Sequence, residues 1–152
     1  MSRKFILAGL ITTVVLFVLN AIVFVAYLDS FFHSHPAVSK DFMDKLYRPQ
    51  NELIIWATVL CSVSIGFLVT TVIYWSGART FVAGMKSGFI FGLLFLCAVD
   101  MGLYASTNNF TIEGALLDLL SSTATITLSS AVAAWVLGTG KKQIINLEFK
   151  TT

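Results

Sequence analysis

Charge is scarce in this sequence. Only 12% of the 152 residues are charged, whereas 57% are hydrophobic. A soluble domain has about 25% charged residues, so this chain has too little polar surface to cover a water-soluble globule. The formal net charge of +2 also excludes the strongly basic surface that binds nucleic acid. We therefore expect the lipid bilayer to be the main partner.

Motifs that mark an enzyme or a metal site are missing as well. Cys61 and Cys97 lie in separate apolar runs and form neither a disulfide framework nor a metal-ligand spacing. His33 and His35 lie outside the apolar runs, which argues against haem ligation inside a bundle. The chain has no nucleophile elbow, phosphate-binding loop or zinc-protease motif. We expect no enzymatic activity, no cofactor and no resident metal.

Long apolar runs are what the sequence does contain. A helix that crosses the hydrocarbon core needs about 20 apolar residues. Four runs reach this length, at about residues 5–28, 53–75, 81–104 and 114–138. They predict an all-α membrane protein, a four-transmembrane-helix bundle that forms a single membrane domain over residues 1–152.

One long connection, residues 29–52, joins the first two predicted helices on the outer side. Charged residues alternate with apolar ones over residues 39–46. This pattern fits either a short helix lying on the membrane interface or an irregular loop.

Lysine and arginine predict the orientation, because they concentrate in cytoplasmic connections. Three of the ten basic residues fall in the connection 29–52, and the other seven fall on the side shared by both termini. These seven are Arg3, Lys4, Arg79, Lys86, Lys141, Lys142 and Lys150. The count predicts that both termini are cytoplasmic.

The third predicted helix has a glycine every four residues, at Gly84, Gly88 and Gly92. Residues four apart differ by only about 40° around a helix, so the three glycines form one groove. Such a groove lets another backbone approach closely. Its partner could be the second or fourth helix, or a second subunit in a homodimer.

A polar stripe runs along the fourth predicted helix. With Asp118 at 0°, the hydroxyls fall at about 40° for Ser122, −20° for Thr125 and 20° for Ser129. Since lipid is a poor neighbour for this stripe, we expect it to face the other helices. The simpler interpretation is that each hydroxyl bonds the carbonyl of the preceding turn and only permits close packing.

Three strongly polar side chains lie inside the apolar runs, at Asn20, Asp100 and Asp118. All three fall in the predicted outer half. A carboxylate at the centre of a membrane costs about 2.5–3.5 kcal/mol, so such residues normally face the bundle interior or water. Our hypothesis is that they line a small outward-facing polar pocket together with Asn108. The alternative is that each Asp caps a neighbouring helix or bonds a hydroxyl.

Part of the chain, residues 80–140, resembles small four-helix bacterial membrane proteins known only as a domain of unknown function. Beside the glycine groove, the resemblance rests on short segments at residues 99–104 (Val-Asp-Met-Gly-Leu-Tyr), 107–109 (Thr-Asn-Asn), 117–119 (Leu-Asp-Leu) and 134–138 (Ala-Trp-Val-Leu-Gly). It implies four helices in a bacterial inner membrane and carries no activity.

Two functions compete at this point. The sequence favours a non-catalytic accessory or scaffold subunit, whose glycine groove and hydroxyl stripe dock another membrane subunit. The alternative is a small ion- or proton-coupled transporter that uses Asp100 and Asp118. An intramembrane enzyme is the weakest candidate, because no nucleophile with a neighbouring base is visible.

Overall fold

The computed structural model describes residues 2–49, 52–108 and 111–139. Within these ranges the regular elements are helices, and no residue forms a strand. In chain order they are α1 (Arg3–Ser34), α2 (Lys40–Leu46), α3 (Ile55–Trp75), α4 (Phe81–Ser106) and α5 (Ile112–Gly138). The helices α1, α3, α4 and α5 are long and apolar enough to cross a membrane, which confirms the prediction of an all-helical chain with four such helices. Asn109 and the tail lysines Lys141, Lys142 and Lys150 lie outside the described residues.

Three of the long helices begin at a hydroxyl side chain. In each case the hydroxyl oxygen accepts a hydrogen bond from a backbone N–H in the first turn, where a helix leaves its N–H groups short of partners. The cap and donor are Ser2 and Phe5 at 3.3 Å, Thr80 and Ala83 at 3.2 Å, and Thr111 and Gly114 at 3.1 Å. Serine and threonine therefore mark where α1, α4 and α5 start.

The two ends of the bundle are easily told apart. At one end, Lys4 Nζ donates a hydrogen bond to the carbonyl oxygen of Thr139 at 2.7 Å, and Gly138 lies against the backbone of Arg79. We call this the tail end, formed by residues 2–4, 76–80 and 138–139. The opposite end, formed by residues 35–49, 52–54, 107–108 and 111, is the loop end.

Helix α1 is longer than the sequence predicted. The prediction ended it at Leu28 and assigned residues 29–52 to a connection, but the helix continues through a π-helical turn at Phe24–Leu28 to Ser34. The continuation packs against α5, since a Cβ built on Gly114 would lie 3.1 Å from the ring of Phe32. This contact joins residues that are far apart in the sequence, so the pattern of residues 29–34 does not indicate it. The shorter connection that remains contains α2, the short-helix alternative.

Helix α5 is the centre of the fold. Of its most apolar stretch of 18 residues, 56% is buried inside the protein, against 17–22% in the other three long helices. It packs against α1, α3 and most extensively α4. The other helices therefore present most of their apolar surface outward.

The apolar core lies toward the tail end. Buried residues of α3 lie between Gly66 and Ile73, and those of α1 lie mostly between Phe5 and Leu16. In contrast, no residue of α3 before Gly66 is buried. We call the packed part, which contains residues 5–16 of α1 and 66–73 of α3, the tail half. The remainder of the bundle, toward the loop end, is the loop half.

The glycine groove is filled within the chain. A Cβ on Gly84 would collide with Ala134, and one on Gly88 would collide with the side chain of Ser130. A Cβ on Gly92 would lie 3.1 Å from Ile126. The groove partner, which the sequence left open, is thus α5 of the same chain.

Candidate acidic site in the loop half

Asp100 is the most unusual polar residue of the loop half. It lies on α4, six residues before the helix ends at Ser106, which places it about 9 Å from that end. Its side chain is only 8% exposed. Its carboxylate oxygen Oδ2 is buried and has no hydrogen-bond partner among the described residues. A buried polar atom of this kind is costly unless a partner from outside the protein reaches it.

Asp118 supplies a second carboxylate from the neighbouring helix. It lies six residues after α5 begins at Ile112, so the hairpin of α4 and α5 brings it to a similar depth. It is close enough for its charge to repel that of Asp100. One of its oxygens, Oδ1, accepts a hydrogen bond from the hydroxyl of Ser122 at 3.0 Å. Asp118 is therefore held by a hydrogen bond, whereas Asp100 has an oxygen without a hydrogen-bond partner among the described residues.

Asn20 reaches this region through α5 and not by contact with the carboxylates. The hydroxyl of Thr125 donates to Asn20 Oδ1 at 3.0 Å and lies equally far from the carbonyl oxygen of Ser122. Thr125 is seven residues from Asp118, about 10 Å along the helix. Asn20 itself is exposed. The residues of the predicted pocket thus form two separate groups. One is the pair Asp100 and Asp118, and the other is the hydrogen bond between Asn20 and Thr125.

Asn108 was predicted to help line the pocket, and the structure gives it no such contact. It is exposed in the connection after α4. Within the described part of the chain, it forms no hydrogen bond to Asp100 or Asp118. The sequence placed it nearby only because it lies in the same short connection.

The predicted hydroxyl stripe faces the interior of the bundle. Thr125 and Ser129 are buried and Ser122 is half-buried. Ser129 donates to the carbonyl oxygen of Thr125 at 2.8 Å, as the simpler interpretation expected. Ser122 instead bonds a carboxylate, so the stripe is part packing surface and part site.

Sequence reasoning missed several buried hydroxyls. Thr12, Thr123 and Ser130 are at most 4% exposed, and their hydroxyl oxygens have no hydrogen-bond partner among the described residues. For Thr12 the available signal was spacing. Ala8, Thr12, Leu16 and Asn20 follow one another at intervals of four residues, so they lie on one side of α1. These hydroxyls sit within the tail half or against α4, apart from the acidic pair.

The described residues contain no group of three or more His, Cys, Asp or Glu side chains that could hold a metal ion. A cation at the acidic pair would therefore take its further ligands from hydroxyl, amide, carbonyl or water oxygens, which suits hard ions such as the alkali metals and Mg²⁺ or Ca²⁺. A proton would need only the two carboxylates.

No family model matches the chain, and neither curated proteins nor solved structures give a match. The resemblance to small bacterial four-helix proteins thus stays a prediction.

Proposed function

We propose that this chain is a multi-pass protein of the bacterial inner membrane that binds a proton or a small inorganic cation at Asp100 and Asp118, as part of ion- or proton-coupled transport. The observation that carries the proposal is the oxygen of Asp100 that is buried beside a second carboxylate and has no hydrogen-bond partner in the part of the chain that the structure describes. A proton or cation is the partner that removes both the burial cost and the repulsion.

The distribution of charge supports a membrane placement with cytoplasmic termini. In the described part of the chain, the tail end has basic residues and no acidic ones. Acidic residues lie at the loop end or in the loop half, namely Asp29, Asp41, Asp44, Glu52, Asp100, Glu113 and Asp118. Seven of the ten basic residues of the sequence fall on the side of the termini, and basic residues favour the cytoplasmic side, so in this placement the acidic pair belongs to the outer half.

Flux through reconstituted protein tests the proposal. Wild type in liposomes with an internal pH dye or cation dye is expected to dissipate an imposed gradient faster than empty liposomes. Asp100→Asn and Asp118→Asn should each lower the rate by about tenfold or more, because an intramembrane carboxylate that marks an ion path is not replaced by an amide. Glu113→Gln is the matched control, since Glu113 is an exposed carboxylate in the first turn of α5.

Stability separates a functional defect from an unfolded one. Asp100→Asn removes a charge that lies beside Asp118, so its free energy of unfolding should be no lower than that of wild type. A wild-type protein without flux above empty liposomes contradicts the proposal. So does a Glu113→Gln variant that loses as much flux as Asp100→Asn.

An accessory or scaffold subunit is the second candidate, and one observation favours it. In the loop half of α3, Ile55 and Trp56 are 67% and 72% exposed, so the described residues cover little of this segment. The faces that the sequence suggested for docking are covered by the chain's own helices. The mass of the protein extracted in mild detergent tests this function, which requires a stable complex larger than one chain.

A further inference from the structure

A half-open groove lies at the tail end, far from the acidic site. It has a volume of about 390 Å³ and is lined by Ser2 and Phe5 of α1 and by Thr71, Tyr74 and Trp75 of α3. Its wall is largely aromatic, with the rings of Phe5 and Tyr74 meeting edge to face at 5.5 Å. Trp75 is 80% exposed beside it, as expected for an aromatic residue at a membrane interface.

An arginine stacks on Tyr74, one of the residues that line this groove. The guanidinium of Arg79 lies over the ring of Tyr74, 5.2 Å from its centroid. It donates hydrogen bonds to the carbonyl oxygens of Ala78 at 2.7 Å and Tyr74 at 3.4 Å. These bonds use two of its five N–H donors. Stacking and these two bonds restrain the plane of the guanidinium, which leaves it donors with which it could bind an anion.

The start of α1 adds positive potential at the same groove. Ser2 caps the helix and lines the groove, and the first turn contains no acidic residue. The backbone N–H groups of a helix start attract phosphate groups, and Arg3 and Lys4 follow directly. Lys4 is already bonded to Thr139, so Arg3 is the additional cation.

We propose that this groove binds an anionic phospholipid, with an acyl chain along the aromatic wall and the phosphate at Arg79 and the start of α1. A phosphate ion alone would leave the apolar wall without a partner, whereas a lipid satisfies both parts of the groove. The inference rests on the membrane placement proposed above. It does not depend on the ion site, which lies at the other end of the bundle.

Native mass spectrometry of the full chain in detergent tests the lipid. We expect phosphatidylglycerol to bind about tenfold more tightly than phosphatidylcholine, because only the former has a net negative headgroup. Arg79→Gln should weaken phosphatidylglycerol binding about tenfold through loss of the charged hydrogen bonds. Lys86→Gln is the matched control, because it removes one exposed charge near the same end without altering the groove.

Two further variants keep the test independent of folding at Arg79. Thr71→Leu leaves the arginine intact and narrows the groove, and it should also weaken phosphatidylglycerol binding; the hydroxyl that it removes bonds only its own helix, at Phe67. Asp100→Asn should bind the lipid as wild type does, even where flux is lost or was never present.

The proposal is overturned if the two lipids bind equally or if both groove variants bind phosphatidylglycerol like wild type. Inorganic phosphate that displaces the lipid at equal concentration would also overturn it, since the anion alone would then be the ligand. Loss of lipid binding in Asp100→Asn would show that the groove is not the site.

Discussion

The two halves of the bundle are held together differently. In the tail half, Ala8, Val69, Ile73, Ala133 and Ala134 are 0% exposed, and backbone packs on backbone along the glycine groove. In the loop half, α3 has no buried residue before Gly66, and a hydrogen bond between Asn20 and Thr125 links α1 to α5.

This difference indicates that the two halves of the chain have different roles. Helices in lipid gain little from the hydrophobic effect and associate through close packing and hydrogen bonds. The tail half uses packing and provides stability. The loop half has no buried residue on α3 before Gly66, and it contains the two carboxylates, of which Asp100 is only 8% exposed.

The glycine groove should give the largest contrast between the halves. Gly88→Leu should lower the free energy of unfolding by roughly 3 kcal/mol, because a side chain there collides with Ser130 and forces α4 away from α5. Gly102→Leu on the same helix is the control, since a Cβ at Gly102 meets nothing within 4 Å. Unfolding in mixed micelles measures both. Equal losses would show that the halves do not differ in packing.

Two isoleucines on α3 test the same contrast by removing volume. Ile73 is 0% exposed in the tail half, and Ile55 is 67% exposed in the loop half. Ile73→Ala should cost about 2 kcal/mol of unfolding free energy, because it leaves a cavity among packed helices. Ile55→Ala should change it by less than about 0.5 kcal/mol, as surface substitutions usually do. A large cost at Ile55 would instead reveal a partner covering that segment.

The smallest expected effect concerns the link between Asn20 and Thr125. A double-mutant cycle with Asn20→Ala and Thr125→Val should give a coupling energy of about 0.6 kcal/mol, the average for hydrogen bonds between membrane helices. Pairing Asn20→Ala with Thr127→Val is the control, because Thr127 bonds only the carbonyl of Thr123 in its own helix. Additive effects for Asn20 and Thr125 would remove the polar link from the description of the loop half.

Much of the fold follows from the sequence because the main signal is local. Apolar length sets the four long helices, and hydroxyl caps fix where three of them begin. The bounds of α3 and α4 differ from the prediction by two residues at most. The end of α1 was predicted too early, because residues 29–34 are polar in pattern, and the contact of Phe32 with Gly114 is not visible in the sequence.

The sequence indicated which residues belong to the candidate site better than it indicated how they are arranged. Asp100 and Asp118 stood out because a charge inside an apolar run is costly. The pairing of Asn20 with Thr125 depends on the register of α1 against α5, which no local pattern encodes. The tail-end groove was missed because Ser2, Phe5 and Tyr74 are ordinary residues for helix ends.

The unequal lengths of α1 and α3 have a mechanical consequence. Helix α1 has 32 residues and α3 has 21, which correspond to about 48 Å and about 32 Å. A hydrocarbon core of about 30 Å matches α3 closely and leaves α1 to tilt or project. In the membrane placement proposed above, a change in bilayer thickness would therefore act mostly on the part of α1 that extends past the length of α3, away from the packed tail half.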